Sequence, residues 1–249
     1  MRYSIVIPAY NESRRLEPTL NKVLAYVVSQ LPQAEVIVVN DGSRDNTGEI
    51  VRRYIEQAPN GLRLIENPGN RGKGFSVRNG MLHARGDVML FSDADLSAPI
   101  EECSKLFQAI EEGADVAIGS RWLRPELQTE PQSLLRQLFG RIFNFALRLL
   151  LKLRFKDTQC GFKAFSRRAV NSIFPLQKIE RWGFDPEVIF LADKKGLKVV
   201  EVPVCWAHEE GGSIHPMRDG IRMLFEVLRV RWYWFMGRYS SGAQARPAP

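Results

Sequence analysis

The sequence predicts an α/β fold with a doubly wound, mostly parallel sheet and helices on both of its faces. Two observations carry this reading. Short β-branched runs alternate along the first half with segments whose apolar residues recur at helical spacing. Each run also ends in a polar, turn-prone stretch, as strands buried on both faces of a parallel sheet do.

Taken in order, Tyr3-Ser-Ile-Val-Ile-Pro8 is the first strand. Glu17 to Ser29 is a helix, with Leu20, Val23, Leu24 and Val27 on one face. Glu35 to Val39 is the second strand, and Thr47 to Gln57 a helix capped by Asn46 or Thr47. Leu62 to Glu66 is the third strand, Phe75 to Ala84 a helix entered through glycines, and Asp87 to Phe91 the fourth strand. Ile100 to Glu112 is a helix with an acidic start, and Asp115 to Ile118 the fifth strand. Two further helices, 134–156 and 218–239, form a basic amphipathic C-terminal region. Residues 1–239 read as a single domain whose halves, 1–133 and 134–239, differ in character; 240–249 read as a disordered tail.

Composition narrows the function classes. The 249 residues are 45% hydrophobic and 25% charged, ordinary for a globular protein that can bury a sizeable core. Cys103, Cys160 and Cys205 lack C-x-x-C spacing, which argues against a disulfide scaffold and for a reducing compartment. No secretory leader is visible, and no uncharged apolar run of about 18 residues exists. The expectation is a cytoplasmic protein.

Residues 1–133 carry 15 Lys/Arg against 18 Asp/Glu, and residues 134–249 carry 20 against 10. The basic second half asks for an anionic partner. Segment 134–156 is rich in Leu and Phe, with six basic residues and no acidic one. On a helix, Arg141, Asn144, Arg148 and Lys152 share a stripe. In 218–239, Ile221, Leu224, Phe225 and Leu228 form one stripe and Arg218, Arg222, Glu226 and Arg229 another, and Trp232-Tyr-Trp-Phe235 ends the helix. Helix 134–156 either packs buried on the sheet or lies on anionic lipid. Its charges make full burial costly, and the aromatic cluster suits an interfacial belt. The expectation is peripheral attachment to a membrane's cytoplasmic face through Arg141, Arg148, Lys152, Trp232 and Trp234. Leucine-rich surfaces do not suit a phosphate track, so nucleic acid is not expected as a partner.

In doubly wound sheets, ligands bind beyond the carboxyl ends of the strands. Those ends are Pro8-Ala-Tyr-Asn-Glu12, Asn40-Asp-Gly-Ser43, Ser92-Asp-Ala-Asp95 and Gly119-Ser-Arg121. Asp93 and Asp95 directly follow an apolar strand. Two carboxylates so spaced can share a hard divalent cation with a diphosphate; solvated loop acids are the alternative. Asp41 is either a turn aspartate or an acceptor for a nucleotide's base or ribose. Asn70-Arg-Gly-Lys-Gly74 precedes a helix, where its glycines allow close backbone approach and Arg71 and Lys73 can meet phosphate.

Ile-Val-Ile-Pro-Ala-Tyr-Asn-Glu12, Val-Asn-Asp-Gly-Ser-Arg-Asp-Asn-Thr47, Asn-Arg-Gly-Lys-Gly74, Asp-Ala-Asp-Leu-Ser97 and Gly-Ser-Arg121 follow one another in this order. Together they resemble family-2 inverting glycosyltransferases, over residues 3–235. Asp157-Thr-Gln-Cys-Gly-Phe-Lys163 and Arg181-Trp-Gly-Phe-Asp185 look most like dolichyl-phosphate β-glucosyltransferases. The resemblance implies a GT-A type fold, UDP-glucose as donor and a dolichyl or other polyprenyl phosphate as acceptor. It implies that Pro8, Tyr10, Glu12 and Asp41 hold the nucleoside and that Lys73 approaches its phosphates. Asp93 and Asp95 would hold Mg²⁺ or Mn²⁺ on the diphosphate, and Arg121, Arg136 and Lys163 would grip the acceptor phosphate. Residues 1–133 then bind the nucleotide sugar, and 134–239 serve acceptor and membrane. Two positions depart from relatives. Ser97 stands where some mannosyltransferases carry a Gln at the metal site, which counts against mannose and GDP. Gly140 replaces a serine used near the acceptor phosphate.

A phosphate monoester has its second pKa at about 6 and attacks without a strong general base. Asp185 would then orient sugar hydroxyls; as a general base it would favour a hydroxyl acceptor. The enzyme alternatives transfer mannose or another sugar, or act on a glycan. The non-enzyme alternative is a nucleotide-binding module with an inactive site. His208 and His215 flank a glycine-containing segment with Ser213 that reads as a loop closing over the diphosphate rather than a zinc site. His83 reads as structural or exposed.

Overall fold

Ile5-Val-Ile7 and Val36-Ile-Val-Val39 have no solvent side: all seven residues are fully buried. Successive side chains enter two separate cores. Val6, Ile37 and Val39 join one, while Ile5, Ile7, Val36 and Val38 join the other. The computed structural model describes residues 1–57, 61–130, 134–207 and 216–240, without the side chains of 129–130, 134–139, 142–143 and 216–219.

The elements follow the alternation expected. They are β1 (Tyr3–Ala9), α1 (Leu16–Gln30), β2 (Ala34–Asn40), α2 (Thr47–Gln57), β3 (Leu62–Glu66), α3 (Lys73–His83) and β4 (Val88–Ser92). A 3₁₀ turn, Ile100–Glu102, leads into α4 (Cys103–Glu111), then β5 (Val116–Ser120) and a short β6 (Gln128–Glu130). The second half holds α5 (Leu134–Leu151), β7 (Phe162–Ser166), α6 (Arg167–Ile173), α7 (Phe184–Lys194), β8 (Val199–Pro203), β9 (Trp206–Ala207) and α8 (Pro216–Phe235).

The main sheet has seven strands in the order β3-β2-β1-β4-β7-β5-β8. All its pairings are parallel except those of β7, which runs antiparallel between β4 and β5. Helices α1, α2 and α4 cover one face; α3, α5, α6, α7 and α8 cover the other. Gly80 lets α3 lie against the sheet, since a Cβ there would overlap Val6 and Val39. The chain reverses direction about β1, which places a crevice beyond the carboxyl ends of β1, β2 and β4.

Two expectations need correction. The helix expected over 134–156 ends at Leu151; Lys152 takes a positive φ of 55° and its N–H donates to the Leu149 carbonyl. From there Leu153, Phe155 and Asp157 turn inward while Lys152, Arg154 and Lys156 face out. That period-two alternation is extended chain rather than helix. Strands β7 and β8 were also absent from the sequence reading.

Candidate active site

The loops after β1 and β2 brace each other. Asn11, in a left-handed conformation (φ 55°), accepts from the Arg44 N–H at 2.8 Å, and its own N–H donates to Ser43 Oγ at 2.9 Å. The Glu12 N–H donates to Thr47 Oγ1 at 2.9 Å. Asp45 accepts from Thr47 and Ser13. Burial alone would raise its carboxyl, but these bonds outweigh it and hold the pKa at about 2. Pro8 is buried at the mouth of this frame and Tyr10 is exposed on it.

Asp41 is buried and holds the glycine-rich loop. One oxygen accepts from Asn67 Nδ2 at 2.8 Å and the Arg71 N–H at 3.0 Å; the other accepts from the Gly72 N–H at 2.7 Å. That grip sets Lys73 at the start of α3, where its Nζ lies 2.5 Å from Asp93 Oδ1. Burial pulls the Lys73 pKa down, but Asp93, Asp185 and Asp95 outweigh it and raise the value above the ordinary one.

Asp93 and Asp95 leave β4 on a tight turn, with Leu96 at φ 49° and the Ser97 N–H donating to Asp95 Oδ1 at 3.0 Å. Their side chains are 34% and 23% exposed, enough to meet a ligand. Beside them lies a small cleft lined by Ser92, Asp93, Ser97, Cys160, Gly161 and Trp206 among others. Gly161 leaves the Asp93 carboxylate its place there, because a Cβ would overlap it. Glu12 sits close by. Burial raises its pKa, the Arg15 ion pair opposes this, and Asp95 and Asp93 add to it.

Behind Lys73 is a second charge cluster. Lys163, the second residue of antiparallel β7, is 0% exposed; its ammonium donates to Asp185 and, at 2.6 Å, to the Cys160 carbonyl. Asp185 is raised by burial, against the opposing pull of Lys163 and Lys73. Here, then, Lys163 faces Asp185 and does not reach the surface. Arg121 forms a two-point pair with Asp157, Nε to Oδ2 at 2.7 Å and Nη2 to Oδ1 at 2.9 Å, between the rings of Trp122 and Trp206. Burial lowers the Arg121 pKa and raises that of Asp157, but the pairing outweighs burial on both.

The structure thus gathers Pro8, Tyr10, Glu12, Asp41, Lys73, Asp93, Asp95 and Asp185 about one crevice. Arg136 lies in the first turn of α5 but its side chain is outside the described residues, as are His208, Ser213 and His215. His83 is exposed at the end of α3. Arg141 stacks over Trp122 at 4.8 Å, Arg148 is half-buried, and Lys152 is exposed beyond the helix. Trp232 is exposed; Trp234 is partly engaged, edge-on to Phe190. Sequence reasoning gave no task to Arg15 or Trp206, and singled out Asp157 in a motif without giving it one. Arg15 had a signal, standing one helical turn from Glu12; the other two meet the site only through β7 and β9.

The site's chemistry suits a hard divalent cation. Asp93 and Asp95 offer oxygen donors, and Asp95 Oδ2 accepts no hydrogen bond among the described residues. No group of three or more His, Cys, Asp or Glu gathers as a cage among the described residues. A cation here would take its remaining ligands from a diphosphate and water, the usual arrangement for Mg²⁺.

The sequence profile described as "Glycosyl transferase family 2" matches residues 4–174. The chain is 37% identical over 247 residues to the dolichyl-phosphate beta-glucosyltransferase ALG5C of Trichomonas vaginalis, covering 95% of this chain and 73% of that protein. It is 31% identical to the dolichyl-phosphate beta-glucosyltransferase of Homo sapiens, covering 95% and 76%. Its fold is similar to glucosyl-3-phosphoglycerate synthase from Mycobacterium tuberculosis, solved with Mn²⁺, UDP-glucose and phosphoglyceric acid. The TM-score is 0.68 at 19% identity, over 98% of this chain and 81% of that one. At that identity the likeness speaks for the fold, which is of the GT-A type.

Proposed function

The chain belongs to glycosyl transferase family 2, a glycosyltransferase of GT-A fold, and from that footing we propose that it transfers glucose from UDP-glucose to a dolichyl or other polyprenyl phosphate, inverting the anomeric carbon. One observation carries the reading. Asp93 and Asp95 stand at the carboxyl end of β4 with Lys73 against them and Asp185 behind, in a crevice framed by the β1 and β2 loops. The names of the similar proteins supply the sugar and the lipid acceptor, and weigh against mannose. The carboxylate pair and the match weigh against an inactive nucleotide-binding module.

Asp93 and Asp95 would hold Mg²⁺ or Mn²⁺, which when bound offsets charge developing on the departing diphosphate. The rest is done by the chain's own groups. Pro8, Tyr10, Glu12 and Asp41 frame the nucleoside, and Lys73 adds positive charge beside the diphosphate. Arg121 and Arg136 serve the acceptor phosphate; Lys163, buried away from it, keeps the Asp185 carboxylate in place. The acceptor phosphate is already nucleophilic, so Asp185 orients sugar hydroxyls and abstracts no proton. Catalysis then rests on bringing two anions together in a fixed geometry.

The acceptor is lipid-linked, so the enzyme works at an anionic membrane surface, on its cytoplasmic face. The exposed apolar side chains of α5 and α8 support this, as do Arg141, Arg148 and Lys152 at and beyond the end of α5. No described helix is long and apolar enough to cross a membrane.

The test incubates the enzyme and polyprenyl phosphate with a panel of labelled nucleotide sugars and identifies the lipid product by mass spectrometry. A hexosyl-phosphate lipid formed from UDP-glucose, absent with Asp95→Asn and absent in EDTA, is the expected result. Product from GDP-mannose alone, or turnover unaffected by EDTA, overturns the donor or the metal respectively.

A further inference from the structure

Arg15 is a cation beside the carboxylate pair that the proposed mechanism leaves without a task. It stands at the start of α1, and its guanidinium is committed on one edge only. Nε donates to Glu12 Oε2 and Nη2 to Glu12 Oε1, each at 2.8 Å. The third corner, Nη1, is buried and has no hydrogen-bond partner among the described residues. It points toward the carboxylate turn after β4, with Asp95 Oδ2 at 4.0 Å. That distance is an ion pair but too long for a hydrogen bond.

A guanidinium holds its N–H groups in a rigid fork, so Nη1 cannot swing away to find another acceptor while Nε and Nη2 stay on Glu12. A buried donor left unmet carries a desolvation cost that a fitting acceptor removes. Asp95 stands on the same turn as Asp93, which meets Lys73, so Nη1 lies beside the carboxylate pair. Glu12 and Asp95 come from loops after different strands, and Arg15 spans them.

We propose that Arg15 is a ligand-binding residue, whose Nη1 donates to an oxygen of the bound nucleotide, with Glu12 fixing its orientation. This rests on reading the crevice as the nucleotide-sugar site. Two oxygens have the required chemistry. A ribose hydroxyl would accept from Nη1 and donate to Asp95 Oδ2, satisfying both; a diphosphate oxygen would accept from Nη1 alone.

The experiment is calorimetric titration of UDP and of uridine into the wild-type protein, Arg15→Ala and Arg15→Lys, in EDTA and in Mg²⁺. Arg14→Ala, exposed next door, is the control. Loss of a charge-assisted hydrogen bond is expected to weaken UDP by about tenfold to a hundredfold in Arg15→Ala, with and without Mg²⁺. Ethylguanidinium added to Arg15→Ala should recover part of the loss, which a merely structural defect would not allow. Uridine weakened in parallel assigns the ribose hydroxyl; uridine unchanged assigns the diphosphate. UDP affinity within about twofold of wild type, or a loss seen only with Mg²⁺, overturns direct donation. Should Arg15→Ala fail to fold, Arg15→Lys keeps the charge beside Glu12 without the fork, and full affinity in it overturns the proposal. A wild-type protein that binds no UDP sinks the nucleotide reading itself, a separate outcome.

Discussion

Lys163 is fully buried and pairs with Asp185, with the Cys160 carbonyl as a second acceptor. Removing one partner of such a pair costs about 3–5 kcal/mol, because the other charge is stranded; replacing both is far cheaper. Asp185→Asn should therefore lose about that much stability in urea unfolding, and Asp185→Asn with Lys163→Met should recover most of it. A double variant no more stable than the single would show that the pair is not an energetic unit. In transfer, corrected for the folded fraction, Asp185→Asn should cost about tenfold, whereas loss of a general base would cost about 10²–10⁴-fold. Gly161 is the opposite case, a position where a missing side chain shapes the site. Its backbone does not need left-handed freedom, so Gly161→Ala should keep a cooperative melting transition. Its Cβ would displace the Asp93 carboxylate, and UDP binding in Mg²⁺ should fall as it does in Asp93→Asn. Unchanged binding would mean that Asp93 does not act from the position seen here.

At the scale of elements, α7 is fastened by Glu187. Its carboxylate accepts from the Lys178 and Ile179 N–H groups, each at 2.9 Å, and from the Tyr239 hydroxyl at 2.5 Å, so it ties the segment entering the Asp185 turn to the chain beyond α8. Burial raises its pKa to about 7, against hydrogen bonds that pull the other way. The folded state then binds a proton that the unfolded state releases between the ordinary carboxyl value and about 7, so this contribution to stability grows as pH falls through that window. Relative to Glu187→Gln, the wild-type protein should gain roughly 3 kcal/mol between pH 8 and pH 4.5. A pH-independent difference between the two unfolding curves would remove Glu187 as the cause. The elements also mark where the sequence was legible. Runs such as Ile5-Val-Ile7 are apolar on both sides and announce themselves, and with them came the crevice and the Asp93–Asp95 pair. Strand β7 did not, because Lys163 interrupts Phe162–Ser166 with a charge that is tolerable only once Asp185, from α7, is folded against it. The end of α5 was hidden for a related reason: Leu153 and Phe155 continue the apolar content but change its period.

The two halves of the chain differ in charge and in surface. The first 133 residues carry a small acidic excess and supply most of the crevice; the rest carry 20 basic against 10 acidic residues. On α8, Val227 and Val230 face the core. The opposite face exposes Ile221, Phe225, Leu228, Trp232 and Phe235, which recur at steps of four, three, four and three. Such spacing is one continuous helical stripe. Phe145 and Leu149 are likewise exposed on α5, which packs against α8. Soluble surfaces scatter single apolar residues but seldom line them up; the proposed interfacial helix lying in lipid would account for the stripe. The same helix touches the site from its other side, where Glu226 accepts from the Gly183 N–H at 2.7 Å, two residues before Asp185. Charge reversal of Arg148 would be an ambiguous probe, because that side chain is half-buried and its Nη2 donates to the Arg154 carbonyl. The exposed apolar residues are the cleaner choice, since shortening them leaves the core intact. Changing Ile221, Phe225 and Trp232 together to Ser should abolish flotation with anionic vesicles while the melting transition stays in place. It should raise KM for a long-chain polyprenyl phosphate about tenfold or more, the loss of several buried side chains at the interface, and leave a short water-soluble acceptor almost unaffected. Flotation by the triple variant equal to wild type, or equal loss with both acceptors, would remove α8 from the membrane surface.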